Sequence, residues 1–403
     1  MKRMICRDLL YACPKFIMAL VRADIHKVCP YIFIIFVASC KPEPELHLFD
    51  GGDINLAMPM VNLDLDAYWD YETVVGHYNW HDEWYYGWDE ADQQLFGNLG
   101  YAEPEIFMLR RYYTGSEPLV PHTNVYANTI KGSTFRGKYN WGFWDILVWN
   151  DVTTADGVQS LNFDEQSSLD YVTAYTNQSM TPSRYYAPRY THSFYQPEDL
   201  FSAYVQGVEI NRDLRGFDYD PVTNTYIKRL NMTLEPITYI YLTQLILHNN
   251  HNRIVGVDGT ANLSGFARST VVNTGIASND AITIYYNTRF KTNCDKKGES
   301  VDIAGGRLMT FGICGLNANR ISKPEDVKDP NQHYLDMTML FNNGMDSTFV
   351  FDVTEQVRQH WKGGVITIEL DMDTVHIPSR SGGSAFDAVV KDFEDGGTHE
   401  FGL

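Results

Sequence analysis

The stretch Val61-Asn62-Leu63-Asp64-Leu65-Asp66 alternates apolar and polar side chains with a period of two. Such alternation predicts a β-strand with one face on a core and the other face in water. Comparable apolar runs recur along the chain, for example Trp144–Trp149 and Val365–Met372, and turn residues such as Asn150-Asp151 separate them. Short strands at this spacing are typical of a β-sandwich.

Length and composition agree with this interpretation. The chain has 403 residues, which is too long for one ordinary core and suits two domains. Hydrophobic residues make up 44% and aromatic residues 14%, which excludes the disordered, collagen-like and coiled-coil classes. We therefore predict an all-β protein of two antiparallel β-sandwich domains with one or two short helices. The helices are expected at Pro197–Val205, where acidic residues follow a proline, and at Thr354–Trp361.

The predicted domain boundary lies in Arg212–Asn224, which is rich in turn residues and contains no apolar run. It divides an N-terminal domain, residues 61–212, from a C-terminal domain, residues 213–403. Residues 1–39 are predicted to be a lipoprotein signal peptide and residues 40–60 a tether.

The first 40 residues have the order of a secretory leader. Six basic and two acidic residues precede the apolar run Tyr31–Val37, which is shorter than the ~20 residues of a membrane-spanning helix. Val37-Ala38-Ser39-Cys40 resembles a bacterial lipobox, in which the chain is cut before the cysteine and Cys40 carries the lipid anchor. The alternative interpretations are an ordinary signal peptide and an accidental apolar run that is followed by a cysteine. The leader is long for its class, so either Met1 or Met18 can be its start.

The charge of the chain limits its partners. The formal net charge is −19 at pH 7, although the leader is basic. Because nucleic-acid phosphates bind clusters of Lys and Arg, we expect no nucleic-acid partner. The expected membrane contact is the lipid anchor.

The densest feature of the sequence is the aromatic segment Tyr68–Trp88, in which nine of 21 residues are Tyr or Trp. Aromatic faces beside acidic and amide side chains are what sugar rings stack on. The other interpretation is that these rings cap one end of the first sandwich and are buried there. The candidate ligand-binding residues are Trp69, Tyr78, Trp80, Trp84, Tyr85 and Trp88.

No sequence motif supports catalysis or a metal. The pairs His77/His81 and His248/His251 lack the remaining residues of a zinc motif and are expected at the surface or among the aromatic rings. No nucleophile elbow, phosphate loop or dinucleotide glycine signature occurs. We therefore predict that the protein is not an enzyme and uses no metal and no cofactor. Gly305-Gly306 is predicted to be a turn.

Two cysteines, Cys294 and Cys314, remain beyond the leader and Cys40. They lie in neighbouring strand-like segments, so a cross-strand disulfide is compatible with an oxidising periplasm. Two buried free thiols are the alternative, and the sequence leaves both open.

Three segments carry a resemblance to a known family: Phe143–Asp151, Ala261–Ala267 and Met309–Gly312. With the lipobox and two β domains, they make the chain similar to the fimbrillin-like lipoproteins of Bacteroides, and within these to a family known only as a domain of unknown function. The resemblance covers nearly all of the chain after Cys40. It implies two transthyretin-like, Greek-key sandwiches at the cell surface, with fimbrial subunits as partners by strand addition.

Assembly in this family depends on a cut after an arginine near the mature N-terminus. No arginine lies between Lys41 and Arg110, which favours an anchor or accessory subunit. Asp346-Ser347-Thr348 and Asp373-Thr374-Val375 resemble the O-glycosylation sequon of exported Bacteroidetes proteins, with Ser347 and Thr374 as acceptors.

The sequence thus predicts a lipid-anchored outer-membrane protein at the cell surface that acts in adhesion or as a fimbrial anchor or accessory subunit. The alternative prediction is a glycan-binding lipoprotein of a polysaccharide-uptake system, with surface glycans as partners of the aromatic segment.

Overall fold

β-Strands dominate the part of the chain that the computed structural model describes. This part comprises residues 60–67, 80–118, 122, 124–152, 160–166, 168–182, 192–211, 213–214, 216–222, 225–317, 326, 328–377 and 388–390. The all-β fold class is therefore confirmed. None of the helices in these residues is long and apolar enough to cross a membrane.

The first twelve strands in chain order are β1 (Met60–Ala67), β2 (Ile106–Gly115), β3 (Asn124–Lys131), β4 (Thr134–Lys138), β5 (Gly142–Asn150), β6 (Leu161–Asp164), β7 (Thr173–Thr176), β8 (Gln178–Pro182), β9 (His192–Tyr195), β10 (Phe201–Ile210), β11 (Asp218–Asp220) and β12 (Thr225–Pro236). The later strands are β13 (Tyr239–His248), β14 (Ile254–Ala267), β15 (Ser269–Val271), β16 (Ile276–Ala277), β17 (Ala281–Asn287), β18 (Arg289–Lys296), β19 (Glu299–Thr310), β20 (Tyr334–Phe341), β21 (Asp346–Asp352), β22 (Gly364–Asp371) and β23 (Ala388–Val390).

These strands form four sheets in the described residues. Sheet 1 has the order β3-β2-β5-β10-β12-β1-β4, and β11 also pairs with β12. Sheet 2 has the order β18-β19-β13-β22 and sheet 3 the order β23-β21-β20-β14-β17-β9-β8. Sheet 4 is small, with the order β16-β15-β7-β6.

Sheets 1, 2 and 3 are mixed rather than wholly antiparallel, whereas sheet 4 is antiparallel. Strands β1 and β12, β13 and β22, β9 and β17, and β21 and β23 pair in parallel. A parallel pair cannot be closed by a tight hairpin and needs a long connection, so its partners are far apart in sequence. The apolar alternation that predicts a strand does not reveal this direction.

Strand β13 shows why some strands lack a clean alternation. Nearly all of its side chains are buried, because both faces of sheet 2 are covered. Tyr241 and Leu245 belong to the main hydrophobic core, which also contains residues of sheets 1, 3 and 4. Ile240 and Ile246 belong to a separate cluster on the other face of sheet 2. A strand buried on two faces has a nearly continuous apolar run.

Two helices and one short 3-10 turn, Trp80–Asp82, occur in the described residues. Helix α1 (Glu90–Phe96) was not predicted, although Asp89 and Asp92 form a capping box at its start. Helix α2 (Thr354–Gln359) confirms the second predicted helix and ends two residues before Trp361.

The helix predicted at Pro197–Val205 is wrong, because Phe201–Ile210 is strand β10 and pairs with β5. The backbone N–H of Leu200 donates to Thr238 Oγ1 (2.9 Å), and that of Phe201 donates to Asn150 Oδ1 (2.7 Å). Side chains from distant strands therefore satisfy the amides that a helix start would expose. Tertiary pairing overrides the local proline and acidic signal.

The predicted domain boundary between residues 212 and 213 stays a prediction. Strand β12 follows that boundary, yet it pairs with β1 over eight residue pairs and with β10 through Phe201 and Ser202. Strand β9 precedes the boundary and pairs with β17 of sheet 3.

Candidate functional site

The described part of the aromatic segment lies across one face of sheet 2. We call Trp80–Tyr101 the strap, and it belongs to none of the four sheets. The predicted residues Trp69 and Tyr78 lie outside the described residues. Four predicted ligand residues, Trp80, Trp84, Tyr85 and Trp88, are therefore placed by the structure, and all four belong to one hydrophobic cluster.

Burial divides the aromatic rings of the strap into two groups. Trp84 and Tyr86 are 9% and 2% exposed and pack on apolar residues of sheet 2. Trp84 Nε1 donates to Gly87 O at 3.0 Å, so its polar edge is satisfied inside the strap. Trp80, Tyr85 and Trp88 are half-buried. The strap is thus mainly a cover for sheet 2, and only half-buried rings face outward.

A buried glutamine holds the beginning of the strap. Gln244 is fully buried in the middle of β13. Its Oε1 accepts a hydrogen bond from the backbone N–H of Tyr85 at 3.0 Å, and its Nε2 donates to the backbone oxygen of Glu83. The same Nε2 donates to Thr367 Oγ1 at 2.8 Å. One amide therefore pairs with the backbone of the strap and with strand β22.

Four charged side chains hold the middle of the strap. Arg289 Nη1 on β18 donates to Asp89 Oδ1 at 2.7 Å and to Asp92 Oδ1 at 2.8 Å. Lys291 Nζ, also on β18, contacts Asp92 Oδ2 and lies 3.2 Å from Asp89 Oδ2. The Asp92 side chain is fully buried. A buried carboxylate needs such partners, because its desolvation is costly.

Tyr86 completes this charged cluster. Its hydroxyl donates to Asp92 Oδ1 at 2.9 Å, and Lys291 Nζ lies 4.1 Å from its ring centroid. Burial, the charge of Asp92 and this hydrogen bond raise the pKa of Tyr86, so the hydroxyl remains a donor. The hydrogen bond from Arg289 holds the pKa of Asp89 well below its usual range. At neutral pH, Asp89 is therefore ionised and the hydroxyl of Tyr86 is protonated.

Gly305-Gly306 is not a turn, and that prediction is wrong. Both glycines lie within strand β19. A Cβ on Gly305 would lie 2.6 Å from Tyr86 Cδ2, and a Cβ on Gly306 would lie 2.5 Å from Asn287 O. The ring of Tyr86 rests directly on the backbone at Gly305. These glycines serve close packing rather than chain reversal.

The described histidines of the two sequence pairs, His77/His81 and His248/His251, make ion pairs or lie at the surface. His248 Nδ1 lies 2.8 Å from Glu299 Oε1 and its Nε2 lies 2.8 Å from Glu369 Oε2. His81 and His251 are exposed, and His77 lies outside the described residues. Among the described residues, no group of three His, Cys, Asp or Glu side chains could hold a metal ion.

The two cysteines are free and are not brought together. Cys314 is buried in the main core, and its Sγ lies 3.7 Å from Gly265 O. Cys294 is partly buried against the strap cluster. Burial raises the pKa of Cys314 to about 12, which makes its thiol inert at neutral pH.

The two residues that were predicted to carry O-linked glycans differ in exposure. Ser347 lies within β21 and is 9% exposed, whereas Thr374 is exposed in the turn after β22 and donates to Asp371 O at 2.7 Å. The lipidation residue Cys40 lies outside the described residues.

The sequence analysis missed the partners of the strap. Arg289 lies 200 residues from Asp89, and Gln244 lies 159 residues from Tyr85. No local pattern connects residues so far apart. The capping box Asp89/Asp92 is a local signal that predicts the start of α1, but it does not predict that Asp92 is buried.

No protein-family model matches the chain, and no curated protein matches it. A candidate adhesin from Bacteroides ovatus has a similar structure at 14% identity and a TM-score of 0.41, covering 78% of this chain and 93% of its own.

Two further solved structures are similar at a comparable level. A candidate polysaccharide-binding protein from Bacteroides thetaiotaomicron has 8% identity and a TM-score of 0.36, over 78% of this chain and 91% of its own. The fimbrial anchor protein of Porphyromonas gingivalis has 12% identity and a TM-score of 0.36, over 77% and 90%. Similarity at this level supports no inference about what this chain binds.

Proposed function

We propose that the protein is a lipid-anchored outer-membrane protein at the cell surface, which acts in adhesion or as a fimbrial anchor or accessory subunit. The observation that carries this proposal is the order of leader, Cys40 and β-sheets. Strand β1 begins at Met60, 20 residues after Cys40. At ~3.5 Å per residue, an anchor at Cys40 would hold the first strand within about 70 Å of the membrane.

The polar clusters of the described residues support a binding or structural role rather than catalysis. The Asp92 and Arg289 cluster joins the strap to sheet 2, and His248 joins β13 to β19 and β22. Each cluster thus connects elements of the fold to one another. A catalytic cluster would instead direct such groups toward a substrate.

The anchoring proposal predicts that Cys40→Ala moves the protein from the membrane fraction to the soluble fraction. Without the thiol no acyl chain is attached, and the anchor is lost. Cell fractionation and immunoblotting measure this change. Cys294→Ala, which removes a thiol from the folded part, should leave the protein in the membrane fraction. Retention of the Cys40→Ala protein in that fraction would falsify the anchoring proposal.

Glycan binding is the second candidate, and the half-buried rings of Trp80, Tyr85 and Trp88 favour it. Trp80→Ala or Trp88→Ala should then abolish binding on a glycan array while lowering the melting temperature less than Trp84→Ala does. Trp84→Ala is the folding control, because this buried side chain should cost about 3–5 kcal/mol of stability. Equal glycan binding by the wild type and the Trp80 and Trp88 variants would remove this candidate.

A further inference from the structure

The strap is attached to sheet 2 differently from the strands of that sheet. The strands are joined by backbone ladders, such as the nine residue pairs between β13 and β19. The strap has internal backbone hydrogen bonds, from Trp84 N to Trp80 O (3.1 Å) and from Gly97 N to Gln93 O (3.1 Å). Side chains of sheet 2 provide the polar contacts described above. Breaking those contacts would leave the ladders of the sheet intact.

Three side-chain anchors are spaced along the strap. Gln244 holds its beginning, and Arg289 with Lys291 holds its middle. Arg307 on β19 holds its end, where Nε donates to Leu99 O at 3.1 Å and Nη2 donates to Gly100 O at 3.3 Å. The aromatic rings of the strap, which belong to the hydrophobic cluster on sheet 2, lie between these anchors.

The anchors are coupled through the rings that they hold. Trp84 and Tyr86 pack in one cluster with a ring-centroid distance of 5.3 Å, and Phe96 and Leu99 near the end of the strap pack against the same cluster. Tyr86 links this cluster to Asp92. Displacement of the middle of the strap therefore removes packing partners from both ends.

We propose that the strap opens as one cooperative unit while sheet 2 beneath it stays folded. No backbone ladder joins the strap to the sheet, so its opening breaks only contacts that involve side chains and needs less free energy than unfolding of the sheet. Opening exposes the apolar face that the strap covers, which consists of Ile240, Leu242, Ile246, Val301, Ile303, Met309 and Val365. The strap is thus a releasable cover of that face.

Hydrogen exchange measured by mass spectrometry and NMR on the whole chain tests this proposal. Three reporter amides are spread along the strap: Tyr85 N, Asp92 N and Gly97 N, each of which is hydrogen-bonded. Asp92→Asn weakens the middle anchor and leaves the contacts of Gln244 and Arg307 with the strap in place. It should accelerate exchange at Tyr85 and Gly97 by the same factor, roughly 10- to 100-fold, because a charged hydrogen bond is lost. In the wild type, the three reporter amides should share one free energy of opening, and it should be smaller than that of amides in the interiors of β13 and β19, which exchange when the sheet unfolds.

The control variant is Asp218→Asn, which removes an exposed ion pair with Arg229 in sheet 1. It should leave exchange in the strap unchanged. A second measurement needs no variant. Raising the NaCl concentration should accelerate the whole strap of the wild type, because Arg289 and Asp89 are partly exposed and their attraction is screened.

Three results would overturn the proposal. Acceleration confined to residues near Asp92 would show that the strap frays locally. Equal free energies of opening in the strap and in the interiors of β13 and β19 of the wild type would show that the strap opens only when the sheet unfolds. An unchanged strap in both the Asp92→Asn protein and high salt would show that the charged cluster does not hold it.

Discussion

At the scale of single residues, Gly305 determines how closely the strap approaches sheet 2. Its backbone φ is not in the left-handed region, so the requirement for glycine is one of space. A Cβ at this position would meet the ring of Tyr86 at 2.6 Å and 2.8 Å. Because Tyr86 is also hydrogen-bonded to Asp92, the ring cannot move without disturbing the charged cluster. The absence of a side chain at Gly305 therefore lets the ring of Tyr86 lie where its hydroxyl donates to Asp92. Asp92 belongs to the ion cluster that the strap forms with β18.

Gly305→Ala should therefore lower the free energy of unfolding by about 1–3 kcal/mol, the usual cost of overpacking. Urea denaturation of the two proteins measures the difference. Gly256→Ala is a matched control in another strand, since its Cβ would meet only Leu340 Cδ1 at 3.7 Å. Its effect on stability should be small. An equal loss in both variants would mean that steric contact with Tyr86 is not the cause.

The residues of the strap also show what a sequence can and cannot predict. Aromatic density identified the segment, and burial of its rings was one of the two interpretations it allowed. The sequence alone does not distinguish sugar binding from burial of the rings, because burial depends on the apolar face that β13 and β19 form in the folded protein. Gln244 illustrates the same limit. It is polar within an apolar run, and only its contact with the strap backbone explains its position.

At the scale of secondary-structure elements, His248 connects three of the four strands of sheet 2 at one end. It lies at the end of β13 and contacts Glu299 on β19 and Glu369 on β22, while Lys296 on β18 also contacts Glu369. Burial opposes the charged imidazolium, but the hydrogen bonds to Glu299 and Glu369 outweigh it and raise the pKa of His248. Both ring nitrogens can donate only when the ring is charged.

This pKa shift predicts how stability changes with pH. Since the pKa is higher in the folded state, the contribution of His248 is complete below about pH 6.5 and is lost as the pH rises through the folded pKa. His248→Gln should therefore destabilise the protein more at pH 5.5 than at pH 8.5. The expected difference is below about 1 kcal/mol, because these side chains are partly exposed.

Thermal melting of the wild type and His248→Gln between pH 5.5 and 8.5 measures this difference. The lower limit keeps Glu369 ionised in both states, since its own pKa is lowered in the fold. His251→Gln is the control, because His251 is exposed in the loop that follows β13. A gap between wild type and His248→Gln that stays constant with pH would contradict the prediction.

Strand positions were predictable where apolar runs were long. The runs Ile237–Leu247 and Val365–Met372 correspond to β13 and β22. The sequence did not predict that these two strands are parallel neighbours. Their pairing depends on the 115 residues between them, residues 249–363, and on the core that this part of the chain forms. Local propensity contains no information about such a connection.

At the scale of the whole molecule, strands from both sides of the predicted boundary at residue 212 belong to the same sheets. A simple division into two domains does not predict this arrangement. Sheet 1 needs β12, which lies after residue 212. Sheet 3 includes β8 and β9, which lie before it. The two halves of the sequence therefore each contribute strands to the other's sheets.

The topology predicts that an N-terminal fragment ending at Pro236 is more stable than one ending at residue 212. Both fragments contain β1, β5 and β10, and both lack β17, the partner of β9. Only the longer fragment contains β12, which pairs with all eight residues of β1 and with two residues of β10.

Residues 40–236 should therefore unfold in one cooperative urea transition and show dispersed amide NMR signals. Residues 40–212 should show neither, because β1 would lose its parallel partner and sheet 1 would be interrupted. Cooperative unfolding of the shorter fragment would show instead that its own strands suffice and that β12 is an addition to a complete domain.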